Sequence, residues 1–288
     1  MSTASASKKT PKDLSMPKYC RRVLCFDTET TGLLPKHIPG TPFPPDSAYP
    51  YITQLSWIMY NVATGEIEEV VDEYIKIPAN VEISAESTRV SGITREIIEE
   101  KGKPLAPLLV RFYAAYMKCD SIVAHNMNFD KEVVRQEMRR NKMAIMDIVR
   151  DKSRVNTMLG IGTKRFNHVY EIELFCTMAN TIELCNIDWV PKDVPQEITT
   201  PVQLEDQMDI PALEAQPTPD PVAKPVSTRK KWPTLTELYT KVFETAPPTD
   251  LHNSIIDVLV CLRCFLKIRC GYHLSSRKFS LLLQRYVK

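Results

Sequence analysis

Asp27-Thr28-Glu29 puts two carboxylates two residues apart at the end of a short apolar run that begins Arg22-Val-Leu-Cys-Phe. On a β-strand side chains alternate between faces, so both acids project from one side. Like charges this close repel, and burial raises the cost; a divalent cation between them would keep both ionised. Taken alone, the pair reads better as a polar strand end entering a turn. A second cluster, His125-Asn126-Met127-Asn128-Phe129-Asp130, follows the apolar Ser121-Ile-Val-Ala124. Asn128 is a candidate cap for the helix that follows, with Asp130 in its first turn, where an acid complements the helix dipole. In the third cluster, Leu251-His252-Asn253-Ser254-Ile255-Ile256-Asp257, Asn253 is a candidate N-cap. His252 then just precedes a helix and Asp257 lies one turn inside it. Asp257 interrupts an otherwise apolar stripe, and a carboxylate there wants a partner or a metal. An ordinary imidazole titrates near ~6.5, which suits His252 to taking a proton from water.

The elements that must bring these clusters together read as an α/β domain. Arg22 to Thr28 is a strand bounded by Gly32 and a loop, Leu34 to Pro50, with six prolines, too many for regular structure. Ile52–Tyr60 and Glu66–Ile77 read as strands of a hairpin turning at Thr64-Gly65. Pro104 to Lys118 and Asn128 to Asn141 carry helical spacing; in the second, Phe129, Val133, Val134 and Met138 face the core and Arg135, Arg139 and Arg140 face solvent. Ser121–Ala124 is a short buried strand, Trp232 to Tyr239 contains a helix start, and Asn253 to Arg269 is a further helix. The expected fold is one α/β domain with a mixed sheet covered by helices, over residues 20–270. Residues 1–19 read as a disordered tail and 271–288 as a basic C-terminal tail. Pro191–Lys231, with eight prolines, clustered acids and a basic end, reads as an insertion or linker, and its acidic part is a candidate surface for a protein partner.

Bulk composition narrows the class without choosing it. The formal net charge over 288 residues is +2, so composition alone does not announce a nucleic-acid binder. The charge is uneven, however. Leu262 to Lys288 has no acid and seven basic residues, whereas Asp193 to Asp220 has acids and no Lys or Arg. A basic segment near a candidate site suits a phosphate-rich substrate, and reads equally well as a solvated helix and tail. No apolar run reaches the ~18 residues of a membrane span, and the first residues lack the apolar centre of a secretory signal. The eight scattered cysteines read as buried thiols of a reducing compartment, cytoplasmic or nuclear. Cys261-x2-Cys264 with Cys270-x2-His273 invites a zinc reading, but a helix continuing through the cysteines leaves too little loop for one.

Taken together, Cys25-Phe-Asp27-Thr-Glu29-Thr-Thr-Gly32-Leu33, His125-Asn-Met-Asn-Phe-Asp130 and His252-x4-Asp257 closely resemble the three motifs of the DEDDh (DnaQ-like) 3′→5′ exonuclease family. Gln54-Leu-Ser-Trp57, Ser87-Thr-Arg-Val-Ser-Gly92-Ile93-Thr94 and Leu235-Thr-Glu-Leu238 are family-like too. One such motif is weak, while all three in order are strong. The sister type carries Tyr four residues before the last Asp; that position here is Asn253, and His252 marks the DEDDh type. The resemblance implies an RNase H-like mixed sheet flanked by helices. It implies two Mg²⁺ or Mn²⁺ ions held by Asp27, Glu29, Asp130 and Asp257, with Asp27 shared and His252 as general base. Such ions lie ~3.5–4 Å apart, one activating the attacking water and one stabilising the leaving oxygen. By the same resemblance Thr28, Thr30 and Leu33 line the terminal nucleotide, with His125, Asn126 and Phe129 near it. Gly92 and Ile93 are weaker candidates, because Ser91 stands where relatives often have His. The implied substrate is single-stranded DNA or RNA with a free 3′ end, DNA favoured, releasing nucleoside 5′-monophosphates, in proofreading- or repair-type chemistry. Two alternatives are an RNA-specific exonuclease of this family and a non-catalytic nucleic-acid-binding module. The second should have lost one of the five core residues, and all five are present.

Overall fold

A computed structural model of the chain describes residues 20–36, 39–189, 229–249 and 251–287. Its framework is the strand β1 (Arg22–Thr30), which pairs antiparallel with β2 (Ile52–Asn61), itself antiparallel to β3 (Glu66–Tyr74). The β2–β3 turn needs a left-handed residue and has Gly65 there, at φ +71°. Two short helices follow, α1 (Ala85–Ser91) and α2 (Arg95–Lys101), capped by the hydroxyls of Ser84 and Thr94. Next come α3 (Leu105–Tyr116), β4 (Ser121–Ala124) and α4 (Met127–Arg140). The chain continues through α5 (Lys142–Val149), α6 (Lys152–Met158), α7 (Lys164–Val169), β5 (Glu173–Cys176) and α8 (Ile182–Cys185). After residue 229 it forms α9 (Leu235–Phe243), α10 (Ser254–Ile268) and α11 (Ser276–Tyr286). The five-stranded sheet has the order β3-β2-β1-β4-β5, with β1, β4 and β5 parallel. This is the mixed sheet of hairpin and parallel strands that the sequence predicts.

Alternation along the strands builds two cores. Leu24, Phe26, Leu55 and Trp57 bury one face under α3 to α6, where Phe112 meets Phe26 and Trp57 edge-on at 5.2 and 5.6 Å. Val23, Cys25, Ile58 and Val123 bury the other face under α10. Twelve of the fifteen residues of α10 are buried, because α9 and α11 cover the side turned away from the sheet. Its buried Arg263 is satisfied by Leu274 O at 3.2 Å, Ser276 Oγ at 3.0 Å and the Tyr239 hydroxyl, with Phe243 and Phe279 against the guanidinium.

Four sequence readings change. The 271–288 stretch is not a tail: α11 buries Phe279 and packs Leu282 and Leu283 on α10, and its Lys278 donates to Gly65 O at 2.6 Å. Asn128 does not cap α4, which begins one residue earlier, after Asn126 in the left-handed region. Arg140 is not given over to solvent. It pairs with buried Glu137 at 2.9 Å and donates to the carbonyls of Asp46, Tyr49 and Pro50, pinning the Pro-rich loop. Arg229, Lys230 and Lys231 belong to the folded domain. Trp189 N–H donates to Arg229 O at 3.0 Å, Lys231 N–H to Ile187 O at 2.8 Å, and Lys230 pairs with Asp188 at 2.7 Å. Both flanks of the predicted insertion therefore meet at one rung. The insertion between them and the expected N-terminal tail lie outside the described residues. No helix among those described is long and apolar enough to cross a membrane.

Candidate active site

β1 outruns its parallel neighbour. It pairs with β4 only from Val23 to Cys25, but with β2 as far as Thr30. Past the end of β4 the chain turns away through His125 and Asn126 into α4. Thr28 consequently has no β4 partner for its N–H, and it donates instead to Asp130 Oδ1 at 3.0 Å, with its hydroxyl donating to the same oxygen at 2.9 Å. These bonds hold Asp130, which is 2% exposed, at the end of the sheet.

Asp27 and Glu29 lie on the opposite face, toward α10. Asn253 caps that helix by accepting from Ile255 N–H at 3.3 Å, and Ser254 Oγ donates to Asp27 O at 3.1 Å, lashing the helix start to the strand. The His252 N–H donates to the Asp257 carboxylate at 3.2 Å, from a backbone at φ +82°. As a result Asp27, Glu29 and Asp257 each offer an oxygen within 4.8 Å of the others.

Such crowding has an electrostatic signature. Burial raises the Asp27 carboxyl to about 6 against opposing hydrogen bonds from Ser254 and Thr28. Burial, then the charges of Asp27, Asp257 and Asp130, raises Glu29 to about 9. Burial and the Asp27 charge raise Asp257 to about 8, and the same two causes raise Asp130 well above its usual range. Without a cation these acids share protons; with one, each can be an anionic oxygen ligand. An all-carboxylate set of this kind suits a hard divalent ion such as Mg²⁺ or Mn²⁺. Among the described residues, Asp27, Glu29 and Asp257 could hold such an ion.

The carboxylates open into a cleft of about 370 Å³, also lined by Thr28, His125, Asn126, Phe129, Met178, Trp232, Pro233 and His252. His125 is fully engaged. Its Nε2 must donate to Pro233 O, at 3.1 Å, so Nδ1 accepts from the Thr177 hydroxyl at 2.9 Å. Burial lowers its pKa to about 4, keeping it neutral. The other sequence candidates lie outside this lining. The Thr30 hydroxyl donates to Gly32 O at 2.7 Å, and Leu33, 84% exposed, borders a neighbouring cleft with Tyr49 and Glu82. Gly92 caps α1 at φ +72°, and Ile93 is 2% exposed. Ser254, Met178, Trp232 and Pro233 have no part in the sequence reading of the site.

The family model described as Exonuclease, RNase T, matches residues 24–165, a span holding Asp27, Glu29 and Asp130 in the arrangement just described. Residues 24–165 of the chain therefore match a DnaQ-like exonuclease domain. Among solved structures this exonuclease resembles Escherichia coli Exonuclease I in complex with a dA16 oligonucleotide, at a TM-score of 0.52 and 16% identity, over 92% of this chain and 43% of that one. It also resembles the zinc-bound Exonuclease I–single-stranded DNA complex of the same organism (TM-score 0.51, 16% identity, 92% and 43%). Exonuclease I without a ligand gives a TM-score of 0.52 at 15% identity, over 92% and 44%. The exonuclease thus spans less than half the length of those chains, and at this identity the likeness is one of fold, the RNase H-like fold. No curated protein matches it in sequence. His252 and Asp257 lie beyond the matched residues and rest on the geometry alone.

Proposed function

We propose that this exonuclease removes nucleotides one at a time from the 3′ end of single-stranded DNA. The observation that carries this reading is the convergence of Asp27, Glu29 and Asp257 within 4.8 Å in an open cleft, the last of them 228 residues beyond Glu29 in sequence. In this reading Asp27, Glu29, Asp257 and, beside them, Asp130 hold two Mg²⁺ or Mn²⁺ ions. When bound, such ions lower the pKa of water and neutralise charge on the phosphate and leaving oxygen. His252, at the rim of the cleft, takes the proton from the attacking water. A P–O bond to that oxygen forms, the bond to the leaving 3′ oxygen breaks, and a nucleoside 5′-monophosphate is released. Asp130 is held by the Thr28 amide and hydroxyl, which ties helix α4 to strand β1 at the site.

The single-stranded DNA named for the Exonuclease I complexes supports the choice of substrate, and the family supports the direction. The eight cysteines, none disulfide-bonded, support a reducing compartment, cytoplasmic or nuclear. The test uses DNA and RNA strands labelled at the 3′ or the 5′ end, incubated with and without Mg²⁺ and resolved by length. A ladder that shortens 5′-labelled DNA one nucleotide at a time, only with Mg²⁺, is the expected result. Immediate release of a 5′ label as mononucleotide would reverse the direction, faster loss of RNA would change the substrate, and no cleavage of either would leave a binding module.

A further inference from the structure

Trp232 is a large aromatic side chain left 52% exposed at the mouth of the carboxylate cleft. Its backbone is not loose. On one side Lys231 N–H donates to Ile187 O at 2.8 Å and Lys231 Nζ pairs with Glu237 at 2.6 Å. On the other, Pro233 O accepts from His125 Nε2 at 3.1 Å, and Thr234 forms a reciprocal capping box with Glu237. Pro233 restricts its own φ and biases Trp232 toward extended backbone. A sequence that needed only to start α9 here would gain nothing from an exposed indole, since the cap and the proline already fix the start.

An exposed aromatic ring on a tethered stretch of backbone beside a phosphodiester site is a surface on which a base can stack. Stacking accepts every base, because each has a π-face, so it suits an enzyme that degrades a strand whatever its sequence. Phe129 and Asn126, on α4 and the turn before it, line the same cleft. His125 ties the turn before α4 to the Pro233 carbonyl, which makes it a positioning residue for the platform and leaves neither ring nitrogen for the strand.

We infer that Trp232 is a substrate-binding residue that stacks on a base of the single strand next to the scissile phosphodiester. The inference rests on the nuclease reading above and adds a specific contact to it. Trp232→Ala in the full chain, with Mg²⁺ and a single-stranded oligonucleotide, should raise KM about 10- to 100-fold and leave kcat within about threefold, while Trp232→Phe keeps most of the affinity. A second arm uses oligonucleotides with one abasic position, moved stepwise from the 3′ end. In the wild type one such position should lower kcat/KM by a similar factor, and in Trp232→Ala that penalty should vanish, because base and ring act as one pair. If the wild type degrades the strand but the alanine variant keeps its KM and the full abasic penalty, the stacking role is wrong and the nuclease reading stands. If the wild type degrades no strand at all, the nuclease reading falls and this one with it. If Trp232→Ala lowers kcat and melting temperature together, and Trp232→Phe does the same, the indole is structural and the inference is overturned.

Discussion

Stripping divalent cations from this exonuclease and then raising the pH should weaken its fold, and Glu29→Gln should cancel much of that weakening. In the cation-free protein Glu29 titrates at about 9 and Asp257 at about 8, whereas in the unfolded chain both ionise near ~4. Below ~4 both states hold the protons and no penalty exists. Between the two ranges the folded chain keeps protons that the unfolded chain has released, so stability falls as pH rises. One net proton costs ~1.4 kcal/mol per pH unit, which for a chain of this size lowers Tm by ~3–6 °C per unit. Burial is the larger source and pairwise repulsion the second: oxygens within 4.8 Å of one another at an effective dielectric of ~20 repel by at least ~3.5 kcal/mol. Gln at position 29 removes two of the three pairs. Thermal melts in EDTA between about pH 6 and pH 8 should therefore show Tm declining in the wild type and a shallower slope in Glu29→Gln. Millimolar Mg²⁺ should restore the wild-type Tm by binding the folded state and should do far less for the variant. A flat wild-type Tm in EDTA, or a variant less stable than wild type near pH 8, would refute the shared-proton account of the site.

Asp257→Asn and Asp27→Ala should each abolish Mg²⁺-dependent hydrolysis while far-ultraviolet circular dichroism stays unchanged; turnover at the wild-type rate in either would detach these residues from the chemistry. His252→Ala should slow single-turnover hydrolysis by about 10²–10⁴ with little change in Mg²⁺ affinity by calorimetry. Asp130→Ala should destabilise the fold by about 1–3 kcal/mol by denaturant melt, because it strands the buried Thr28 N–H. An unchanged midpoint would mean that Thr28 finds another acceptor. Replacing Val194–Ser227 by a short Gly-Ser turn should preserve both Tm and hydrolysis rate, since Trp189 and Arg229 already meet through a 3.0 Å backbone hydrogen bond; loss of folding would show that the segment is structural.

Much of this architecture is legible in the chain, for physical reasons. Period-two alternation places β1 and puts Asp27 and Glu29 on one face, the Thr64-Gly65 turn places the hairpin, and Asn253 sets the start of α10 and hence the height of Asp257. Each of these signals is local. What escapes is long-range or marginal. The helix α11 carries its apolar stripe, Phe279, Leu282 and Leu283, within a strongly basic stretch, and only the apolar side of α10 turned away from the sheet shows why that stripe must pack. Arg140 reads as a solvated charge because its acceptors are carbonyls about 90 residues earlier. His125 reads as a group offered to substrate, yet both nitrogens are taken by partners 52 and 108 residues away. Trp232 follows a stretch of low-complexity composition, and nothing near it in sequence hints that it borders the acids.

The length of β4 has a consequence for how such a chain can vary. Because this four-residue strand stops at Ala124, the far part of β1 keeps a neighbour only on the β2 side, and the gap is where Asp130 docks. One more rung on β4 would engage the Thr28 amide in a ladder and push the turn carrying Asn126 outward, stranding Asp130 however faithfully the acids themselves were kept. Loops around this domain can grow or shrink, but the competence of the centre is set by an inequality between two neighbouring strands, a property that no single side chain encodes.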